Sequence, residues 1–218
     1  MVDKKKMFAD LLLNWWDKNK RDFPWRRMND SYSILIAEML LRKTTAQQVA
    51  GIYIKFLEKY PDPIALSEAE EDELNELLRP LGMEYKRAEL LKKFGREVRD
   101  LYDGKIPAEL QQLLKLPGVG MYAANAVLCF AFSEDVPLLD TNFIRVINRV
   151  FGVESQKPRA RNDNKMWKFA KSLIPQNKGK YFNLAILDFA ALICTAKKPE
   201  CSECPVRSVC EYYKEKEK

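Results

Sequence analysis

Apolar residues recur three and four residues apart along most of this chain, and that spacing limits what it can fold into. Such a pattern places the apolar side chains on one face of an α-helix. Strand patterns are nearly absent, and Pro and Gly residues divide the chain into helices of ordinary length. The sequence therefore predicts an all-α fold. The predicted helical segments are MFADLLLNWWDKN, SILIAEMLL, AGIYIKFLEKY, EDELNELLRPL, RAELLKKFGREVRDLY and AELQQLLKL.

With 218 residues, of which 47% are hydrophobic, the chain is long enough for one large domain or two small intertwined ones. It has no apolar run long enough to cross a membrane, and MVDKKKMFAD at the N-terminus lacks the apolar core of a signal peptide. We therefore expect a cytoplasmic protein with no membrane partner. The net charge of +6 is compatible with a nucleic acid partner but does not require one.

The chain contains no histidine. This absence excludes nucleophilic triads with an imidazole base, histidine-ligated zinc and acid–base catalysis by histidine. Carboxylates, Lys, Tyr or Cys must therefore carry any acid–base chemistry.

The stretch LPGVGMYAANAV contains two glycines, Gly118 and Gly120, at the spacing of a dinucleotide-binding turn, and Asp140 follows where that motif expects an acidic residue. That motif needs a β-strand before the first glycine. Here a helical pattern and Pro117 precede it, which argues against a dinucleotide site. Two interpretations remain: a turn whose backbone N–H groups approach a single phosphate, or an ordinary helix–helix connection.

Four cysteines crowd the C-terminal region with the spacing C-x6-C-x2-C-x5-C. In an intracellular chain such a cluster indicates metal binding rather than disulfides. Its long arms suit an iron–sulfur cube, whereas zinc more often takes two tight pairs; unmetallated thiols are the third interpretation. A fifth cysteine, Cys129, lies in an apolar helical pattern and is expected to be a buried structural thiol. The clustered residues are Cys194, Cys201, Cys204 and Cys210.

The glycine turn, LLDTNFIRVINRVFG around Asp140 and the four cysteines together resemble the helix–hairpin–helix DNA glycosylases of the endonuclease III superfamily. The resemblance covers nearly the whole chain. It implies two helical domains flanking a DNA-binding cleft, and a 4Fe–4S cluster held by the loop 194–210. The implied domains are a six-helix barrel at 24–134, containing the hairpin, and a cluster domain built from 1–23 and 135–218.

The resemblance also implies a catalytic set of Asp140, Glu38 and Tyr122. Lyases of this superfamily carry a Schiff-base lysine two residues after the second hairpin glycine, where this chain has Tyr122. Two carboxylates without that lysine fit hydrolysis of the N-glycosidic bond alone. Judged without the resemblance, Glu38 is a single polar residue on an apolar helix, and Asp140 is a helix cap, a role compatible with catalysis.

Two branches of the superfamily lack lyase activity, and they differ in the base that they remove. Adenine glycosylases share E-x-x-L-Q-Q-T and G-x-Y-x-R-A, whereas this chain has EMLLRKTT and GMEYKRA, with Arg42 and Lys43 in place of Gln-Gln. Those enzymes also carry a second domain beyond the cluster, and only EYYKEKEK follows Cys210 here. RDFPWR, AEMLLRKTTA, LPGVGMY and LLDTNFIRVINR look like the archaeal-type thymine–DNA mismatch glycosylases. We therefore expect removal of T or U opposite G; the alternatives are adenine excision, another damaged base, or a non-catalytic damage-binding module.

The expected partner is double-stranded DNA containing a mismatched or deaminated base, bound by a monomer in the nucleoid. Family position makes Arg42, Lys43 and Met83 candidates for the wedge that fills the space of an extruded base. Each has a plainer interpretation, as surface charge or as a packed loop residue. Arg149 follows Arg145 at helical spacing, and both are either phosphate contacts or plain surface charges. The predicted DNA-binding residues are Gly118, Val119, Gly120, Arg42, Lys43, Met83 and Arg145.

Overall fold

The computed structural model describes residues 3–216, and every regular element in that range is helical. No helix within this range is both long and apolar enough to span a membrane. The α-helices are α1 (Lys4–Asn19), α2 (Ser31–Leu40), α3 (Ala46–Lys59), α4 (Pro63–Ser67), α5 (Glu71–Leu78), α6 (Glu84–Tyr102), α7 (Leu110–Leu113), α8 (Met121–Phe130), α9 (Thr141–Phe151), α10 (Asn164–Lys171), α11 (Gly179–Leu192) and α12 (Glu211–Lys216).

The chain divides into two compact units. The hairpin unit is Asp22–Phe132, and the cysteine unit combines Met1–Arg21 with Ser133–Lys218. The sequence placed these boundaries two residues later, at 24 and 134. The hairpin unit contains α2 to α8, of which α4 and α7 are only five and four residues long.

In the hairpin unit, α2 is the most buried helix: seven of its ten residues are apolar, and eight are buried. It packs against α8, and the Tyr53 hydroxyl on α3 donates a hydrogen bond to the Ser33 carbonyl at 2.7 Å. The long helix α6 packs against α4 and α5. Its buried residues, Leu91, Phe94 and Val98, recur at helical spacing and form its inner face.

In the cysteine unit, α1 packs against α11. The link is the fully buried Asp188, which accepts hydrogen bonds from Trp16 Nε1 at 2.8 Å and from Arg21 Nε at 2.5 Å. A buried carboxylate needs such partners because burial removes its hydration. Phe143 on α9 and Phe8 on α1 both contact the Phe182 ring of α11. These contacts explain why the first 21 residues belong with the C-terminal half.

Two helical predictions were too long. EDELNELLRPL covers residues 71–81, but α5 ends at Leu78 and a 3-10 turn follows it. AELQQLLKL was predicted to be a helix, but α7 covers only Leu110–Leu113. Pro117 disfavours helical backbone at Leu116, and the N–H of Leu116 donates to Leu113 at 3.1 Å in a tight turn instead. Cys129 is buried in α8, as predicted.

Candidate catalytic and DNA-binding residues

The turn between α7 and α8 is built around Gly118. Its φ of 75° lies in the left-handed region that residues with side chains disfavour. A Cβ at this position would lie 2.9 Å from Leu90 Cδ2. The Gly118 carbonyl also accepts a hydrogen bond from Arg42 Nη1 at 3.1 Å. The left-handed backbone of the turn therefore favours glycine at position 118.

Gly120, the N-cap of α8, is different because the protein does not itself require glycine there. Its φ of −102° is open to any residue, and a Cβ would meet no atom within 4 Å. No side chain caps α8, and the first N–H groups of a helix lack acceptors within the helix. The bare backbone and the positive end of the helix dipole therefore let an anion approach closely.

Val119 does not offer its own groups to DNA in this conformation. Its side chain is buried, and its N–H donates to the Leu116 carbonyl at 3.1 Å. Val119 was predicted to contact DNA, but its backbone N–H is already paired with Leu116 and is not free to donate to a phosphate. The N–H groups of Gly120 and of the first turn of α8 are better placed for a phosphate.

Two predicted catalytic residues lie in the hairpin unit. Tyr122 is half-buried in the first turn of α8, two residues beyond Gly120. Glu38 is half-buried on α2, where every other residue from 32 to 40 is buried. The Glu38 carboxylate helps to raise the pKa of Tyr53, although burial is the largest cause of that shift. Glu38 therefore marks the one polar, accessible position on an otherwise buried stretch of helix.

Asp140, in the cysteine unit, is the N-cap of α9. Its Oδ1 accepts hydrogen bonds from the backbone N–H groups of Asn142 at 2.9 Å and Phe143 at 2.8 Å, and Oδ2 accepts from Asn142 Nδ2 at 2.6 Å. Burial raises the pKa of Asp140 above its usual range, against these hydrogen bonds and Arg145, which lower it. The carboxylate is thus fixed in orientation and partly desolvated. This capping role is compatible with the predicted catalytic role of Asp140.

Arg145 holds α9 to the end of α11. Its guanidinium donates to the carbonyls of Ala190 and Cys194, each at 2.9 Å, and to Asn142 Oδ1 at 2.9 Å. Three of its five N–H donors are used within the unit, so a contact between Arg145 and a DNA phosphate would use the other two, and this contact stays a prediction. Asn142, which sequence analysis missed, connects Arg145 to Asp140.

The three wedge candidates lie together in the hairpin unit. Arg42, Lys43 and Met83 all line a cavity of about 200 Å³. Lys43 and Met83 each have a φ of 57°, in the left-handed region that is uncommon for residues with side chains. Arg42 and Lys43 are exposed, and Met83 is 50% exposed. Strained backbone at exposed positions is typical of functional loops.

The four clustered cysteines line one pocket in the cysteine unit, and none of them is in a disulfide. Burial, with smaller effects from the other three cysteines, raises the pKa of Cys204 to about 12. Burial thus disfavours a bare thiolate at this site, and a bound metal centre would stabilise one. Residues 3–216 contain no set of three Cys, Asp or Glu side chains placed for a single metal ion. An iron–sulfur cube instead spreads its four ligands over its corners.

Comparison with known proteins identifies the family. Residues 36–172 match the model described as HhH-GPD superfamily base excision DNA repair protein, and residues 194–210 match the iron-sulfur binding domain of endonuclease III. The chain belongs to the HhH-GPD superfamily.

This HhH-GPD chain is similar to known DNA glycosylases over nearly its whole length. It is 46% identical to the thymine/uracil-DNA glycosylase of Pyrobaculum aerophilum, over 97% of this chain and 94% of that protein. It is 46% identical to the thymine-DNA glycosylase of Aeropyrum pernix, over 93% of this chain and 92% of that protein. A solved structure of a thermostable thymine-DNA glycosylase matches with a TM-score of 0.93 and 40% identity, over 97% of each chain.

These findings confirm the predicted helix–hairpin–helix glycosylase fold and the predicted iron–sulfur cofactor of this HhH-GPD protein. All four cysteines fall inside the matched iron–sulfur segment. Arg149, which was predicted to be either a phosphate contact or surface charge, donates instead to the carbonyls of Thr195 and Ala196 at 2.7 and 3.0 Å. These acceptors lie more than 40 residues further along the chain. The spacing of residues within α9 therefore could not predict that Arg149 holds the start of the cysteine loop.

Alanine substitutions at the two hairpin glycines are expected to have opposite effects on stability and on DNA binding in this HhH-GPD protein. Gly118→Ala is expected to destabilise the fold by about 1–2 kcal/mol because of its left-handed backbone, with a further cost from the Leu90 contact. Gly120→Ala should change stability by less than about 1 kcal/mol, yet weaken DNA binding because a methyl group occupies the anion approach. Thermal unfolding measures the stability of both variants, and fluorescence-anisotropy titration with a matched duplex measures their DNA affinity. Equal DNA affinity for wild type and Gly120→Ala would contradict this account of the turn.

The iron–sulfur assignment predicts a sharp contrast between two cysteine substitutions. Cys204→Ser is expected to lose iron, acid-labile sulfide and the broad visible absorbance of the cluster, because one corner loses its thiolate. Cys129→Ala should retain all three, since Cys129 lies in the other unit. Iron and sulfide analysis of both purified variants checks the prediction. Full iron content in Cys204→Ser would mean that this thiol is not a ligand.

Proposed function

We propose that this protein is a monofunctional DNA glycosylase that hydrolyses the N-glycosidic bond of T or U opposite G in double-stranded DNA, acting as a monomer. The observation that carries the proposal is the 46% identity to a thymine/uracil-DNA glycosylase over nearly the full length of both proteins. The residues agree with it. Arg42 and Lys43 stand where adenine glycosylases have Gln-Gln, and Tyr122 stands where lyases have lysine.

Asp140 stabilises the positive charge that develops on the deoxyribose as the base departs. Glycosidic bond cleavage has an oxocarbenium-like transition state, and a fixed carboxylate is most effective when it needs no reorganisation. Three hydrogen bonds from Asn142 and Phe143 hold the Asp140 oxygens in one orientation. The same carboxylate also guides the attacking water.

Glu38 positions or activates water, or assists the departing base. A half-buried carboxylate can take part in proton transfer, and this chain has no histidine to do so. Because every neighbour of Glu38 on α2 is buried, the helix holds its backbone rigidly. Tyr122 contributes an aromatic face on which the extruded base stacks.

The hairpin provides a grip on the DNA backbone that is independent of sequence. A phosphate bound at Gly120 and the start of α8 would fix the position of the duplex without reading its bases. Base extrusion then costs a few kcal/mol and is easiest at a mismatch. Lys43 and Met83 fill the vacated space, and Arg42 with Lys43 donates to O6 or N7 of the opposing guanine.

The iron–sulfur cluster shapes a basic loop rather than taking part in the hydrolysis. The cysteines anchor residues 194–210, and Lys197, Lys198 and Arg207 are exposed on this segment. Arg207 Nη1 donates to the Ser202 carbonyl at 3.0 Å within the same loop. These cations add to the phosphate contacts of the protein.

A panel of labelled duplexes tests the proposal. The duplexes carry T/G, U/G, U/A, A/G, A/8-oxoguanine and hypoxanthine/T, and alkali after incubation cleaves the strand at every site that has lost its base. We expect cleavage of the T and U strands opposite G. Cleavage at A would assign the protein to the adenine branch, and tight binding without base loss would make it a damage sensor.

A further inference from the structure

Arg87 is a buried cation that has no carboxylate partner among residues 3–216. It lies in the first turn of α6 and is only 8% exposed. In residues 3–216, every hydrogen bond of its guanidinium goes to a neutral oxygen. Burial is the largest cause of a lowered pKa at Arg87, and the positive charge of Arg42 adds to it. A buried charge is costly unless its donors are satisfied, so the arrangement needs a reason.

Three acceptors of Arg87 lie in two separate loops, and the other two, the carbonyls of Met39 and Leu40 at the C-terminal end of α2, accept from Nη1 at 3.5 and 3.3 Å. Nη2 donates to the Arg42 carbonyl at 2.8 Å and to Thr44 Oγ1 at 2.6 Å, on either side of Lys43. Nε donates to the Gly82 carbonyl at 2.8 Å, immediately before Met83. A single guanidinium thus spans the loop after α2 and the loop before α6.

Each loop contains one of the two exposed left-handed residues that line the 200 Å³ cavity. Residues with side chains adopt this conformation only where their surroundings enforce it. Hydrogen bonds from Arg87 to the Arg42 carbonyl and the Thr44 hydroxyl on either side of Lys43, and to the Gly82 carbonyl just before Met83, provide that enforcement. The planar fork of arginine suits the task, whereas the ammonium of lysine cannot reach acceptors in both loops with fixed geometry.

We propose that Arg87 is a positioning residue that locks Lys43 and Met83 into one preformed wedge for base extrusion. The inference rests on the proposed function, because the wedge acts on the mismatched nucleotide. Preorganisation matters here because a displacement of about 1 Å can cost about 100-fold in rate. Arg87 acts through the two loops and does not itself touch the substrate.

Three variants test this role: Arg87→Met, Arg87→Lys and the control Arg99→Met. Arg99 lies on the same helix and donates to Ser67 Oγ at 3.0 Å, away from both loops. The first readout uses 2-aminopurine beside the mismatched thymine, whose fluorescence rises when the stack opens. We expect both Arg87 variants to open the stack between about 10- and 100-fold more slowly, with Arg99→Met like wild type.

A second readout separates positioning from general damage. Affinity for a fully matched duplex depends on backbone contacts, so it should change by less than about threefold in the Arg87 variants. Wild-type opening rates in Arg87→Met, or a loss of matched-duplex affinity as large as the loss of opening rate, would overturn the inference. If Arg87→Met does not fold, Thr44→Val removes one acceptor alone. It should slow opening by about threefold, and an unchanged rate would overturn the inference.

A third readout does not depend on glycosylase activity. Hydrogen exchange in the absence of DNA should accelerate at residues 41–45 and 82–84 in Arg87→Met, because the loops lose their shared anchor. Unchanged exchange there would overturn the inference even if the protein excises thymine. If exchange accelerates in Arg87→Met but the wild-type protein opens no mismatch, the proposed function is wrong while the anchoring role of Arg87 stands.

Discussion

Asp140→Asn is expected to lower the single-turnover rate of base removal by between about 10² and 10⁴-fold. The substitution removes the negative charge that stabilises the cationic sugar. It leaves an N-cap of equal quality, because Asn and Asp cap helices about equally well. The melting temperature should therefore stay within about 3 °C of wild type. Quench-flow measurement of product on the T/G duplex, paired with thermal unfolding, gives both quantities.

Asp62→Asn is the matched control. Asp62 caps α4 by accepting a hydrogen bond from the Ala65 N–H at 2.8 Å. The same chemical change at this exposed cap should leave the excision rate unchanged. A full rate in Asp140→Asn, or an equal loss in both variants, would show that Asp140 is only a helix cap.

The raised pKa of Asp140 gives this residue a pH signature with a definite sign. Catalysis needs the ionised carboxylate, so the acid limb of the rate profile should lie above the ordinary aspartate value of about 3.9. Protonation favours the folded state here, so the contribution of Asp140 to stability is present at low pH and lost as pH rises through its pKa. Compared with Asp140→Asn, wild type should therefore gain stability as the pH falls. The opposite trend in paired melting curves would mean that the folded protein lowers this pKa.

Tyr122→Lys is expected to convert a base-removing enzyme into one that also cuts the strand. An amine in the first turn of α8 lies at the positive end of the helix dipole, which favours its neutral, nucleophilic form. Borohydride should then trap a covalent protein–DNA adduct, and strands should break without alkali. Wild type should do neither, because a phenol forms no Schiff base.

Met121→Lys is the control for a new positive charge at the start of α8. Met121 is 40% exposed and precedes Tyr122, so its side chain points about 100° away around the helix. This variant should give no adduct. Trapping of wild type would contradict the argument from Tyr122. Tyr122→Lys that still removes the base but forms no adduct would show that position 122 does not face the sugar.

The helices and the iron–sulfur segment were largely predictable because their signals are local. Periodicity predicted most helices, and the spacing of four cysteines favoured an iron–sulfur site. Glu38 stood out as the one charge in an apolar helix, and it is the one residue from 32 to 40 that is not buried. Asp140 was correctly predicted to be a helix cap.

The remaining features depend on residues distant in sequence. Arg145 was predicted to be a phosphate contact or a surface charge on α9, yet its acceptors Ala190 and Cys194 lie 45 and 49 residues further along the chain. The left-handed backbone at Lys43 and Met83 has no local signal, since neither residue is Gly, Asn or Asp. Both residues lie beside hydrogen-bond acceptors of Arg87, which joins two loops about 40 residues apart, and no local pattern reveals such a link.

The most direct test of the central claim is chemical identification of the base released from a T/G duplex. Wild-type protein incubated with this duplex should release free thymine, while the strand stays intact until alkali is added, and a matched T/A duplex should release far less. Release of adenine from an A/G duplex with no thymine from T/G would contradict the proposed specificity. Binding of T/G without release of any base would contradict the catalytic claim itself.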